Sequence, residues 1–157
     1  MVPEQYAGVK PMNINFGCGG NILEGWRNHD SEMDVTQPLP YPDKCADMIL
    51  AEHLGEHLTG PHLLRFLDEC RRILKSGGVM RLCCPVIGNW LSLEHARDLT
   101  LNHGHQLVLN ETVMRNFLWM AGFSSILRTD RKGEDGHWRV IGIAKDDLET
   151  CRMEATK

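Results

Sequence analysis

Three groups of residues in this chain have the types and spacing to do chemistry. The first is Gly17-Cys18-Gly19-Gly20, followed a short way on by Asp30. Glycines without a Cβ let the chain turn tightly and let a ligand lie against the main chain. A carboxylate at the end of the next strand can accept both hydroxyls of a ribose. Taken alone, the glycines could be a plain turn and Asp30 a solvated turn aspartate. The second group is His53-Leu54-Gly55-Glu56-His57, which fits H-x-x-E-H. In a zinc hydrolase His53 and His57 would hold the metal and Glu56 would activate water. The third is the stretch from Trp90 to His105, with His95, Arg97, Asp98, His103 and His105. Histidines titrate near neutral pH and can act as base or donor. His103 or His105 is a candidate to contact a substrate, against the alternative of surface or capping histidines.

The elements that must position these groups read as an alternation of strands and helices. Met12 to Phe16 is a strand that runs straight into the glycines. The segment from Gln37 to Asp43 carries Pro38, Pro40 and Pro42 and should be loop, since proline lacks the N–H a central strand needs. Ala46 to Ala51 reads as a buried strand. A helix should begin near Pro61, with Leu63, Leu67, Cys70 and Leu74 on one face, and be stopped by Gly77 and Gly78, with Lys75 in its last turn. Val79 to Val86 is the next strand. Asn110 should cap a second helix that presents Val113, Phe117 and Met120 and ends at Gly122. Ser125 to Thr129 and Trp138 to Ala144 are two late strands, and the charged tail from Asp146 onward is expected to fray. This order predicts a Rossmann-like α/β fold, a mostly parallel sheet flanked by helices. Its ligands would bind at the carboxyl ends of the strands, where strand order reverses.

The chain has 157 residues and a formal net charge of -4. One domain spanning residues 1–157 is expected, long enough to bury a core without disulfides or a structural metal. No basic stripe favours nucleic acid. No apolar stretch is long enough to span a membrane, and the polar start has no signal-peptide pattern. The six cysteines form no C-x-x-C pair, which fits free thiols in a reducing cytoplasm. The H-x-x-E-H chemistry needs both histidines on one continuous helix. A strand ends just before His53, Gly55 weakens a helix and Pro61 favours a later start. Glu69 is at a conceivable distance for a third ligand, but none is evident, and no metal is expected.

Several segments carry a family resemblance. Asn13-Ile14-Asn15-Phe16-Gly17-Cys18-Gly19 resembles the first motif of the class I S-adenosylmethionine-dependent methyltransferases. Gly25-Trp26-Arg27-Asn28-His29-Asp30 resembles the GWxNVD segment of their type-11-like branch. Pro38 to Asp47 resembles PLPFPDxSxD, Ala51 to Leu58 resembles xxHVLEHL, and Leu74 to Leu82 resembles LKPGGxLRI. The segments follow the family's order through roughly the first half of the chain, in a compact form. The resemblance implies S-adenosylmethionine as cofactor and S-adenosylhomocysteine as product. Gly17, Cys18 and Gly19 would pass under the methionine part, and Asp30 would hold the ribose hydroxyls. Asp34, with the backbone of Val35, would approach the adenine amine. Glu52 and His53 would sit near the sulfonium end, unless they are a helix-start pair with only local bonds.

One departure stands out. The family places a helix and a strand between the two cofactor aspartates, but here only Ser31, Glu32 and Met33 separate Asp30 from Asp34. Even one helical turn takes about four residues. The sheet should therefore be trimmed at that edge, and the bare edge favours a homodimer that covers it. The implied activity is methyl transfer to a small-molecule or saccharide-like acceptor, with His53, His103 and His105 as catalytic candidates. The other readings are a non-catalytic homologue that holds the cofactor or a partner protein, the zinc hydrolase, and a nicotinamide enzyme. The last lacks the third spaced glycine of G-x-G-x-x-G. A DNA base is a poor acceptor candidate, since neither an Asn/Asp-Pro-Pro-Tyr nor a Pro-Cys motif is present; Cys84-Pro85 is the reverse order.

Overall fold

Short apolar runs separated by turn residues build the sheet. The computed structural model describes residues 11–85, 104–128 and 150–157. Strands β1 (Asn13–Phe16), β2 (Arg27–His29) and β3 (Ala46–Glu52) come first. A single 3-10 turn (Gly55–His57), helix α1 (Gly60–Ile73) and strand β4 (Leu74–Pro85) follow. Helix α2 (Glu111–Met120) and strands β5 (Ser124–Arg128) and β6 (Thr150–Thr156) complete the described residues. The sheet order is β2-β1-β3-β4-β6-β5. Its first four strands are parallel, and β6 runs antiparallel between β4 and β5. The Rossmann-like α/β expectation holds. So does the trimmed edge: among the described residues, three-residue β2 is the last strand on its side.

Side chains alternate across a strand, and the two faces differ in character. Ile14 and Phe16 of β1, Ile49 and Ala51 of β3, and Met80, Leu82 and Cys84 of β4 are all buried in one apolar cluster. Cys151, Met153 and Ala155 of β6 continue it. Helix α1 contributes Leu63, Phe66, Leu67, Cys70 and Ile73, and α2 adds Met114 and Leu118. The opposite face carries Asn15, Leu50, Arg81, Cys83, Arg152 and Glu154, also buried. There Arg81 and Glu154, register partners on β4 and β6, form an ion pair at 2.7 Å.

Helix α1 starts as its sequence dictates. Thr59 caps it, accepting from the His62 N–H at 3.4 Å, and Pro61 lies in its first turn. It ends sooner than expected, at Ile73 rather than at Gly77. Cys45 N donates to Ile73 O, and Leu74 already pairs with Ala46, so sheet pairing captures the chain before the glycines. Lys75 accordingly does not serve a last helical turn; it pairs with Asp47 at 2.8 Å. Gly77 (φ 76°) and Gly78 form the bulge that restores register at Val79.

Helix α2 is capped by Asn110, whose Oδ1 accepts from the Val113 N–H at 2.9 Å. Its buried face is Met114 and Leu118, with Val113 and Phe117 only partly covered and Met120 exposed. The expected face is thus turned by one position, because α2 packs on α1, β5 and β6 together. The largest correction is the tail. Far from fraying, Thr150–Thr156 is an interior strand, and its alternation of Cys151, Met153 and Ala155 supplies the core face. The expected strand from Trp138 to Ala144 lies outside the described residues.

Candidate functional site

The chain leaves β1 for β2 on one side, then crosses to β3 on the other. Strand order therefore reverses between β1 and β3, and the glycine turn sits at that point. Gly17 (φ 67°) and Gly19 (φ 48°) both adopt the left-handed region, which glycine enters at no steric cost. A Cβ on Gly17 would meet Leu54 Cβ at 3.2 Å, whereas one on Gly19 would meet nothing within 4 Å. The first glycine lets the turn pass close under the loop after β3; the second leaves open space over the main chain.

Asparagines that the sequence reading did not single out hold the turn. Asn15 and Asn28 are register partners on β1 and β2. Asn15 Nδ2 donates to Asn28 Oδ1 at 3.0 Å and to Asn21 O at 2.9 Å. Asn28 Nδ2 donates in turn to Leu23 O and Trp26 O. The Cys18 N–H continues the ladder to His29 O at 2.9 Å. Asparagine inside an otherwise apolar strand was the available signal, since a buried amide needs partners.

Asp30 is exposed just beyond β2, and its Oδ1 accepts from the Gly19 N–H at 3.3 Å. That leaves most of its acceptor capacity open. Asp34 is committed locally: its Oδ1 accepts from Thr36 N at 2.9 Å and Thr36 Oγ1 at 2.6 Å. Those bonds hold its carboxyl below the usual range. Val35 beside it is buried in the core cluster. Glu52 ends β3 with long-range rather than local bonds, accepting from Asn21 Nδ2 at 3.3 Å and contacting Cys83 Sγ at 3.6 Å. His53 takes φ 52°, its N–H donates to Cys83 O, and its Nδ1 lies 3.4 Å from Glu56 Oε1. Gly17, Cys18, Gly19, Asp30, Glu52 and His53 thus gather at the carboxyl ends of β1, β2 and β3. His105 lies beside His57, with ring centroids 4.8 Å apart, and both come within 4.8 Å of Glu56, which His53 Nδ1 also approaches. His95, Arg97, Asp98 and His103 lie outside the described residues.

The continuous helix that H-x-x-E-H chemistry requires is missing, because Gly55–His57 is one 3-10 turn. The six cysteines are free. Burial, then the charges of Asp30 and Glu32, push the Cys18 thiol up. Burial does the same, more strongly, to Cys70, Cys83 and Cys84, so these four are poor nucleophiles near neutral pH. A groove of about 400 Å³, lined by Arg115, Trp119 and Phe123 among others, lies at the β5 edge, and none of the described candidate residues lines it.

The glycine turn with its following carboxylate lies at the switch point of a Rossmann-like sheet, the fold that solved S-adenosylmethionine-dependent methyltransferases share with this chain. Residues 15–82 match the family model described as a methyltransferase domain. A Mycolicibacterium smegmatis protein named "Probable S-adenosylmethionine-dependent methyltransferase" is 34% identical over 85 residues. That match covers 54% of this chain and 31% of the relative, so the chain spans under a third of the curated relative's length. Among solved structures, a SAM-dependent methyltransferase from Archaeoglobus fulgidus superposes with TM-score 0.66 at 16% identity. The superposition covers 98% of this chain and 89% of that one. The phosphoethanolamine N-methyltransferase 2 of Haemonchus contortus, complexed with phosphomonomethylethanolamine and S-adenosylhomocysteine, gives TM-score 0.63 at 11% identity. It is covered over 51% of its length by 98% of this chain. The matched segment and the superpositions agree with the resemblance read from the sequence, and the fold is shared with solved S-adenosylmethionine-dependent methyltransferases. Among the described residues, no helix is long and apolar enough to cross a membrane.

Proposed function

We propose that this protein transfers a methyl group from S-adenosylmethionine to a small-molecule or saccharide-like acceptor. The observation that carries the reading is the bare, left-handed glycine turn at the switch point with Asp30 bonded to its Gly19 N–H. A Cβ-free surface over Gly19 fits a ligand lying on the main chain. In this reading Gly17, Cys18 and Gly19 carry the methionine part, and Asp30 accepts the ribose hydroxyls. The Glu52 carboxylate and His53 border the reacting end. Asp34 contributes less than its family counterpart, since Thr36 occupies one of its oxygens; the Val35 backbone is left to face the adenine.

When bound, the cofactor supplies an electrophilic methyl group, so the protein's task is alignment and exclusion of water. His53 is the base candidate nearest that end: its ring is half exposed, and Glu56 stands beside Nδ1. An imidazole that holds a proton at Nδ1 can take one at Nε2 from an acceptor hydroxyl or ammonium. The free thiols fit a cytoplasmic location.

A second reading, a cofactor-binding homologue without turnover, is favoured by the trimmed edge at β2. Transfer of labelled methyl from S-adenosylmethionine to a panel of small amines, alcohols and saccharides separates the two. Turnover on at least one acceptor, lowered by Asp30→Ala and by His53→Ala, is the expected result. Cofactor binding with no labelled product across the panel would favour the second reading.

A further inference from the structure

Glu56 is a buried carboxylate in the turn after β3. It is 1% exposed; His53 Nδ1 lies 3.4 Å from its Oε1 and the Cys84 thiol is beside it, but no donor meets either oxygen in full hydrogen-bond geometry. Burying an ionised carboxylate without compensation is costly. Glu56, His57 and His105 each bring one donor atom, and these atoms all lie within 4.8 Å of one another. The two imidazoles are already in edge-to-face contact. The backbone reinforces the meeting, since Gln106 N and Leu107 N both donate to Glu56 O, at 2.7 and 3.1 Å.

We propose that Glu56, His57 and His105 form a binding site for a divalent transition-metal ion of the zinc class. Two imidazole nitrogens and one carboxylate oxygen are a donor set that suits Zn²⁺, Co²⁺ or Fe²⁺ rather than Ca²⁺ or Mg²⁺. A tetrahedral ion about 2.1 Å from each donor needs donors roughly 3.4 Å apart, so the cluster must contract by about 1 Å. His57 is exposed and His105 half-buried, so both can make that adjustment, while buried Glu56 is fixed. Three protein donors leave at least one position open for water or a ligand atom. His53 Nδ1, 3.4 Å from Glu56 Oε1, becomes an outer-shell partner of the carboxylate. The ion would tie residues 104–107 to the turn after β3 and offset the Glu56 charge. The arrangement differs from H-x-x-E-H hydrolase chemistry: Glu56 is a ligand and not a base, and His105 replaces His53.

The test is calorimetric titration of EDTA-treated, dialysed full-length protein with ZnCl2, with Co²⁺ absorption as a second readout. Wild type is expected to bind one Zn²⁺ and to gain thermal stability with it. His57→Ala, His105→Ala and Glu56→Gln should each weaken binding by on the order of a hundredfold, since even outer-shell losses cost about 10- to 100-fold. His62→Ala, an exposed histidine on α1, should bind as wild type does. Circular dichroism of the metal-free variants shows whether each has folded, and His105→Ala, lying on a surface segment, keeps the test decisive if Glu56→Gln does not fold. Absence of Zn²⁺ binding by wild type, or binding that survives both histidine replacements, would overturn the proposal. S-adenosylhomocysteine binding is read separately and does not depend on the result.

Discussion

Gly17 and Asp30 were readable as a pair because their chemistry is local: one needs a backbone without a Cβ, the other a carboxylate a strand later. Gly17→Ala would force alanine to φ 67° with its Cβ 3.2 Å from Leu54. The left-handed backbone alone costs roughly 1–2 kcal/mol, so chemical denaturation should show a loss of at least that size. Asp34 and Val35 follow Asp30 at a spacing that departs from the family pattern, and the fold adds that Thr36 has taken up the Asp34 carboxylate. The Glu56–His57–His105 grouping was not legible for a different reason. His105 lies far along the chain, and no spacing rule links it to the turn after β3. The titratable residues also set a pH dependence. Arg72 hydrogen bonds, with the Leu39 N–H, hold Glu69 below its ordinary value of 4.5 against a smaller effect of burial. The folded state therefore keeps Glu69 ionised where the unfolded chain protonates it. Its stabilisation is complete above pH 4.5 and lost as pH falls through the depressed value. Glu69→Gln should flatten the fall of Tm with pH below that point; an unchanged slope would assign acid sensitivity elsewhere.

At the scale of elements, proline and capping rules placed both helix starts well, since Pro61 and Asn110 act within one turn of themselves. Helix ends and faces were less legible, because tertiary pairing decides them. Leu74 leaves α1 for β4 where Ala46 is available to pair with it. The loop from Leu39 to Asp43 shows how an element with no pairing of its own is fixed. Arg72 donates to Leu39 O, Tyr41 O and Asp43 Oδ1, and its bidentate pair with Glu69 orients the guanidinium. That explains the proline-rich segment as a strap across α1 rather than a site. Strand β6 was misread because buried Arg152 and Glu154 look like a solvated tail in a charge count. Breaking the buried Arg81–Glu154 pair with Glu154→Gln should cost about 3–5 kcal/mol by leaving Arg81 underpaired. Replacing both by apolar residues of similar volume should cost less than the single change, as a double-mutant cycle would show.

Across the whole molecule, the order β2-β1-β3-β4-β6-β5 does two things at once. It brings the glycine turn, Asp30 and Glu52 to one end of the sheet, and it makes the chain's last residues part of the interior. Lys157 Nζ donates to Leu74 O at 2.6 Å and Arg72 O at 3.2 Å, closing the C-terminal end of α1. Removal of residues 150–157 should therefore abolish cooperative unfolding, since β5 then has no partner strand joining it to β4. The trimming at β2 is inferred by setting the three residues between Asp30 and Asp34 against the helix and strand that the resembled family places there. What no sequence pattern could supply is the acceptor, because its contacts depend on side chains gathered from distant segments. The central claim is that the β1–β3 switch point holds S-adenosylmethionine through the glycine turn and Asp30. Isothermal titration of the purified protein with S-adenosylhomocysteine, for wild type and Asp30→Ala, tests it most directly. The account predicts 1:1 binding that Asp30→Ala weakens by about 10- to 100-fold, the loss of one or two charge-assisted hydrogen bonds. No binding by the folded wild type, or binding that Asp30→Ala leaves unchanged, would contradict it.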